Sequence, residues 1–136
     1  MPERCTATLS LPNSRPDPSC AQIVTVERYY FDAIRSPAFK LSFTVNHAHL
    51  VPEGIAGFVD ALDISRVEEV RLADSFRNGH EVHLKPGAGD IDFADMFQRI
   101  EGKGFNGRYT NAFGSPDDML AGRDELVRLA GRIGIR

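Results

Sequence analysis

From residue 21 onward, helical and strand-like hydrophobic periods alternate along this chain, and that alternation limits the folds open to it. Val26, Tyr29, Tyr30, Ala33 and Ile34 recur at helical spacing, so a helix is expected from Thr25 to Arg35, with the aromatic stripe as its core face. Ser36-Pro37 stops it. Lys40 to Val45 is a compact strand. Val51, Ile55, Phe58, Val59 and Leu62 then mark a helix over Pro52 to Leu62, and Val67 to Ala73 forms a second strand. Phe93, Met96, Phe97 and Ile100 give the stripe of a third helix opened by Asp92 and ended by Gly102 and Gly104. A short strand falls at Arg108 to Asn111. Ser115-Pro116-Asp117-Asp118 starts a last helix running to about Arg132, with Met119, Leu120, Leu126, Val127, Ala130 and Ile133 as its apolar stripe. Short apolar strands separated by helices imply a parallel sheet with crossover connections, an α/β architecture.

The polar residues cluster where such a sheet places its sites, after the strands. Asn46, His47 and His49 follow the first strand, Asp74 the second, and Asn111 the third. If extended geometry persists past residue 45, His47 and His49 point to one side, because side chains alternate along a strand. They can then share a ligand, or one packs while the other is solvated. A long polar connection, residues 74–91, holds Glu81 and His83 ahead of Pro86-Gly87-Ala88-Gly89. Connections of that length in compact domains are often functional, and these glycines let a backbone approach a ligand closely. The bland alternative is a surface loop with a solvated Glu and His.

Composition excludes several classes. The chain has 136 residues, a net charge of −3 and no Lys/Arg run, so no nucleic-acid footprint is present. It has no long apolar run, so no membrane span is expected. Residues 1–20 hold four of the eight prolines and lack the order of a secretory signal. They are expected to be an irregular lead-in to a domain over 21–136. Cys5 and Cys20 are the only cysteines; without a secretory signal they are expected as free thiols in a cytoplasmic protein.

The run from Phe43 to Ile133 resembles the carboxyl-terminal part of the xylose isomerase-like TIM barrel superfamily. That group includes sugar and sugar-phosphate isomerases and epimerases and the AP endonuclease family 2 enzymes. Glu81-Val82-His83 and the run Pro86 to Phe93 carry the resemblance, with Glu in place of the family's Asp. Asn46 to His49 stands for an Asp-x-x-His, and Arg71 to Asp74 for a His-x-x-Asp. The resemblance implies a partial (β/α)8 barrel of about three parallel β/α units with a preceding helix. It also implies sugar or sugar-phosphate isomerase/epimerase-like chemistry.

Three positions that hold the catalytic metal in the isomerases and epimerases differ here: Asn46, Arg71, and Asn111 or Ala112, depending on the offset. A fixed guanidinium cannot ligate a metal but can hold an anionic oxygen. By the resemblance, Asp74 and Glu81 would be catalytic, and Asn46, Arg71 and Asn111 would contact the substrate. His49, Glu81 and His83 match the positions of an additional zinc in the endonuclease branch. The implied cofactor is a divalent ion, Zn, Mn or Mg, and the implied partner a small sugar or sugar phosphate. The alternative is a non-catalytic, truncated or degenerate barrel. It would bind a polyol or anion, or require a complementary fragment or a second copy, since a complete barrel takes about 250 residues.

Overall fold

The computed structural model describes residues 6–8, 29–77, 80–111 and 113–135. Four strands, β1 (Thr6–Thr8), β2 (Lys40–Thr44), β3 (Val67–Arg71) and β4 (Arg108–Thr110), form one sheet in sequence order, with every pair parallel. The three expected strands are present, and β1 is an addition. It lies in the stretch expected to be irregular, while Cys5 and Cys20 fall outside the described residues. The helices are α1 (residues 29–34), α2 (Val45–Leu50), α3 (Gly54–Ala61), α4 (Phe93–Gly102) and α5 (Pro116–Arg132). None is long and apolar enough to cross a membrane among the described residues.

Two of the helix starts follow directly from side-chain chemistry. The Asp92 carboxylate accepts from the Asp95 amide at 3.0 Å, satisfying an orphan donor of α4. At α5, Ser115 and Asp118 exchange bonds in a capping box, with Pro116 supplying a pre-set first turn.

The sheet's two faces differ in kind. Leu41, Phe43, Val70 and Tyr109 pack toward the helices. Phe43 stacks on Phe58 with centroids 5.4 Å apart, and Val45, Val59, Met96 and Ile100 are sealed at the centre. In register on the other face stand Ser42, Glu69 and Arg108, then Thr44, Arg71 and Thr110.

Two apolar stripes do not pack as their spacing suggests. Tyr29, Tyr30 and Ile34 of α1 are exposed, and it is Phe31 that turns inward, edge-on to Phe39 and beneath the Arg66 guanidinium. In α5, Leu120 and Val127 are exposed, whereas Gly122 and Leu126 are buried. The burial of Gly122 has a cause: a Cβ there would meet Asn111 Nδ2 at 2.7 Å and Pro86 Cδ at 2.9 Å.

A remote cation closes α3. Lys103 Nζ donates to the carbonyls of Val59, Asp60 and Leu62 at 2.7, 3.0 and 2.8 Å, filling acceptors that a helix end leaves open. Lys103→Met, which keeps the stem and removes the donors, should lower stability by about 1–2 kcal/mol, read as a shift in the urea midpoint at constant slope.

Candidate metal centre at the strand ends

Residues 45–50 decide the geometry of the site. The extended path ends at Thr44, and α2 follows with no intervening loop. Val45, Ala48 and Val51 recur every third residue and are buried, so the helix is held by its apolar side. In a helix, positions two apart lie about 200° apart around the axis. His47 and His49 therefore point to different sides, contrary to the expectation from continued strand geometry.

His49 does not join Glu81 and His83. Its Nε2 lies 2.7 Å from Asp90 Oδ1, and that hydrogen bond is the main reason the Asp90 carboxyl is held below its ordinary range. His47 takes the place expected for His49. The ligating atoms of His47, Glu81 and His83 lie within 4.8 Å of one another.

His47 Nε2 is 3.0 Å from Glu81 Oε1, but the angle is not that of a hydrogen bond. Both ring nitrogens of His47 are buried without a hydrogen-bond partner among the described residues. A buried imidazole with neither nitrogen engaged is costly unless something accepts its lone pair or its proton. The His83 ring stacks on Phe113 at 4.4 Å and meets His47 edge-on at 5.5 Å. The Arg71 guanidinium lies over the Phe113 ring, 5.1 Å from its centroid.

Burial lowers the His47 pKa, the nearby Glu81 opposes this, and His83 and Arg71 add to the lowering. The imidazole is thereby kept neutral, the form that ligates a metal. The sign of the linkage follows. As pH falls below the ordinary value of 6.5, the unfolded chain takes up a proton at this position before the folded one does. In the metal-free protein this contribution to stability is thus complete above that value and is lost as the pH falls toward the depressed folded value. A His47→Gln variant should flatten this part of the stability profile below the ordinary value of 6.5, measured by urea unfolding.

Glu81 and His83 reach the centre because the 74–91 connection is tied down at Asp74. The Asp74 carboxylate is buried and accepts four backbone N–H groups. Ser75 and Ile91 donate to Oδ1 at 2.9 and 3.1 Å, Gly87 and Gly89 to Oδ2 at 2.9 Å each. The Asp74 main chain exchanges two further bonds with Leu84. Gly87 has φ +88°, and a Cβ on Gly89 would collide with Asp74 Oδ1 and Ser75 O, so both positions call for glycine.

Asp74, expected to be catalytic, has its acceptor capacity taken up in holding the loop. Asn46, expected at the substrate, is fully buried and donates from Nδ2 to Val82 O at 3.1 Å, fixing the residue between Glu81 and His83. Asn111 donates to Met119 O at 2.9 Å at the start of α5. Arg71, also expected to contact substrate, stands close enough for its charge to act on His47. Sequence reasoning named His47 only as a partner of His49, not of Glu81 and His83, and passed over Phe113. The three-residue period of Val45, Ala48 and Val51 was the available signal for His47; nothing local marked Phe113.

Among solved structures the chain is similar to a D-tagatose 3-epimerase-like protein (TM-score 0.64, 23% identity, covering 73% of this chain and 37% of that one). It is likewise similar to a xylose isomerase domain protein from Planctomyces limnophilus (TM-score 0.64, 15% identity, 82% and 44% covered). The fold is that of part of a xylose isomerase-like TIM barrel. The matched part is the carboxyl-terminal one. A third neighbour is the IOLI protein with a binding zinc atom (TM-score 0.55, 16% identity, 84% and 41% covered). The chain thus spans less than half the length of each of these barrels. No family model matches it, and no curated protein is significantly similar to it in sequence.

Proposed function

We propose that this chain binds a divalent metal through His47, Glu81 and His83, and presents it to a sugar in isomerase- or epimerase-like chemistry. One observation carries the reading: the half-buried His47 has both ring nitrogens buried without a hydrogen-bond partner among the described residues, with Nε2 3.0 Å from the Glu81 carboxylate and a second imidazole in the same cluster, all ligating atoms within 4.8 Å. Two imidazoles and one carboxylate with room for a fourth ligand suit zinc, and suit magnesium poorly, since magnesium demands oxygen ligands. A bound ion of this kind polarises a carbonyl and stabilises an enediolate. The chain's own residues would do the rest. The Phe113 stack sets the plane of His83, and Arg71 offers a fixed cation to a sugar oxygen. Sugar-directed epimerase-like proteins among the structural neighbours support the substrate class.

A second reading, binding without turnover, is favoured by the Asp74 carboxylate, which is occupied by four amides and cannot act as a base. The deciding experiment is elemental analysis of the dialysed protein after zinc loading. One zinc per chain, removed by EDTA, is expected. At zinc concentrations about 100 times Kd, the bound form should gain roughly 2.7 kcal/mol of stability. A chain that retains no zinc and shows no shift sinks the proposal. Turnover of ketoses by the zinc form then separates the two readings.

A further inference from the structure

The sheet face turned away from the helices has a composition that packing does not explain. In barrels the inward face is filled by layers of bulky, mostly branched side chains. Here two rows in register read Ser42, Glu69, Arg108 and Thr44, Arg71, Thr110. Covering these with apolar groups would bury charges at high cost.

The rows are organised around one carboxylate. Ser42 Oγ donates to Glu69 Oε2 at 2.9 Å from one neighbouring strand, and Thr110 Oγ1 donates to Oε1 at 2.8 Å from the other. Arg108 Nε stands 3.8 Å from Oε1. Each carboxylate oxygen is thus positioned by a hydroxyl and still has a lone pair to offer. Burial alone would raise the Glu69 pKa, but the Thr110 and Ser42 hydroxyls, with Arg108 and Arg71, outweigh it and keep the group ionised. Its side chain remains 16% exposed, so the position is held but not sealed.

Arg71 follows two residues later on the same face, toward the strand end. Its charge acts on both His47 and Glu69. Among the described residues, no carboxylate or carbonyl pairs with its guanidinium; its recorded contact is the Phe113 ring.

We infer that this face is a subsite for the hydroxyl groups of a neutral polyol, with Glu69 accepting from one hydroxyl and Arg71 donating to a neighbouring oxygen. A carboxylate and a guanidinium one strand step apart match the alternating donors and acceptors of vicinal hydroxyls. A phosphate would meet the Glu69 charge, so the ligand is uncharged at this end. The inference rests on the proposed function only for the other end of the ligand, which would lie at the metal centre.

The test is titration of the full chain with xylitol, followed by ligand-observed NMR, with and without bound zinc and with inorganic phosphate as competitor. Xylitol should bind the wild type. Glu69→Gln should weaken it about tenfold or more, because a charged acceptor is replaced by a neutral one. Ser42→Ala should weaken it several-fold, and phosphate should not displace it. If Glu69→Gln fails to melt cooperatively, Ser42→Ala and Thr110→Val decide, with Thr110→Ser expected to restore binding. No xylitol binding by the wild type, unchanged binding in these variants, or displacement by phosphate would each overturn the inference. Zinc stoichiometry is read separately: xylitol binding retained in a chain that holds no zinc upholds the subsite and sinks the metal reading alone.

Discussion

Asp74→Ala should lower stability by about 4 kcal/mol and release the 74–91 connection, because it strands four backbone donors at once in a buried setting. The Ser75 and Ile91 bonds are buried and those of Gly87 and Gly89 part-buried, so for the first two the cost is that of unpaired groups as well as of lost bonds. Asp74→Asn should fall between. It keeps one acceptor oxygen but turns an NH2 toward two amides that are themselves donors. The urea midpoint gives the stability, and limited proteolysis within residues 80–91 reads the loop. A variant as stable as the wild type, with a protected loop, would show that these amides find other partners. Loss of sugar turnover in a destabilised variant with an open loop would be assigned to the displaced Glu81 and His83, whereas loss in a stable variant with a protected loop would point to Asp74 itself.

The second large effect separates the two histidines of α2. His47→Ala should reduce zinc affinity by more than the roughly 10–100-fold that removal of an outer-shell partner costs, since it deletes a direct ligand. His83→Ala should do the same. His49→Ala should leave zinc affinity within about threefold of wild type, a difference under 0.7 kcal/mol, because His49 is engaged with Asp90 and points away from the centre. Calorimetric titration of zinc into each purified variant gives the comparison. Strong loss in His49→Ala with little loss in His47→Ala would reverse the assignment and restore the ligand set expected from the sequence resemblance.

That reversal of roles shows what the sequence made legible. The β/α alternation was readable because burial imposes its period on the apolar residues. Asp92 and Ser115 announced their helices because capping is local chemistry that needs no knowledge of the rest of the fold. Glu81 and His83 were readable as a pair through their loop. Their partner was not, because the side on which residue 47 emerges depends on where β2 ends, and a shift of one or two residues in that boundary redirects every later side chain. The hydrogen bonding of Asp74 was not legible for a related reason. A carboxylate at a strand end looks the same in sequence whether it faces a ligand or four amides. Tyr29 and Tyr30 likewise obeyed helical spacing, yet Phe31 is the residue the core accepts. Periodicity finds a helix without fixing which of its faces is covered.

The knot at Asp74 also bears on kinetics. Its amides come from residue 75 at one end of the connection and residues 87, 89 and 91 at the other. They cannot be released one by one without leaving a buried carboxylate partly bare. The segment therefore opens as a single cooperative unit, well below the free energy of global unfolding but well above that of a fraying surface loop. Two of the three proposed ligands ride on that unit and the third is fixed on a helix. Exchange of an ion with solvent would then keep the tempo of the knot's opening, however quickly a single imidazole could let go.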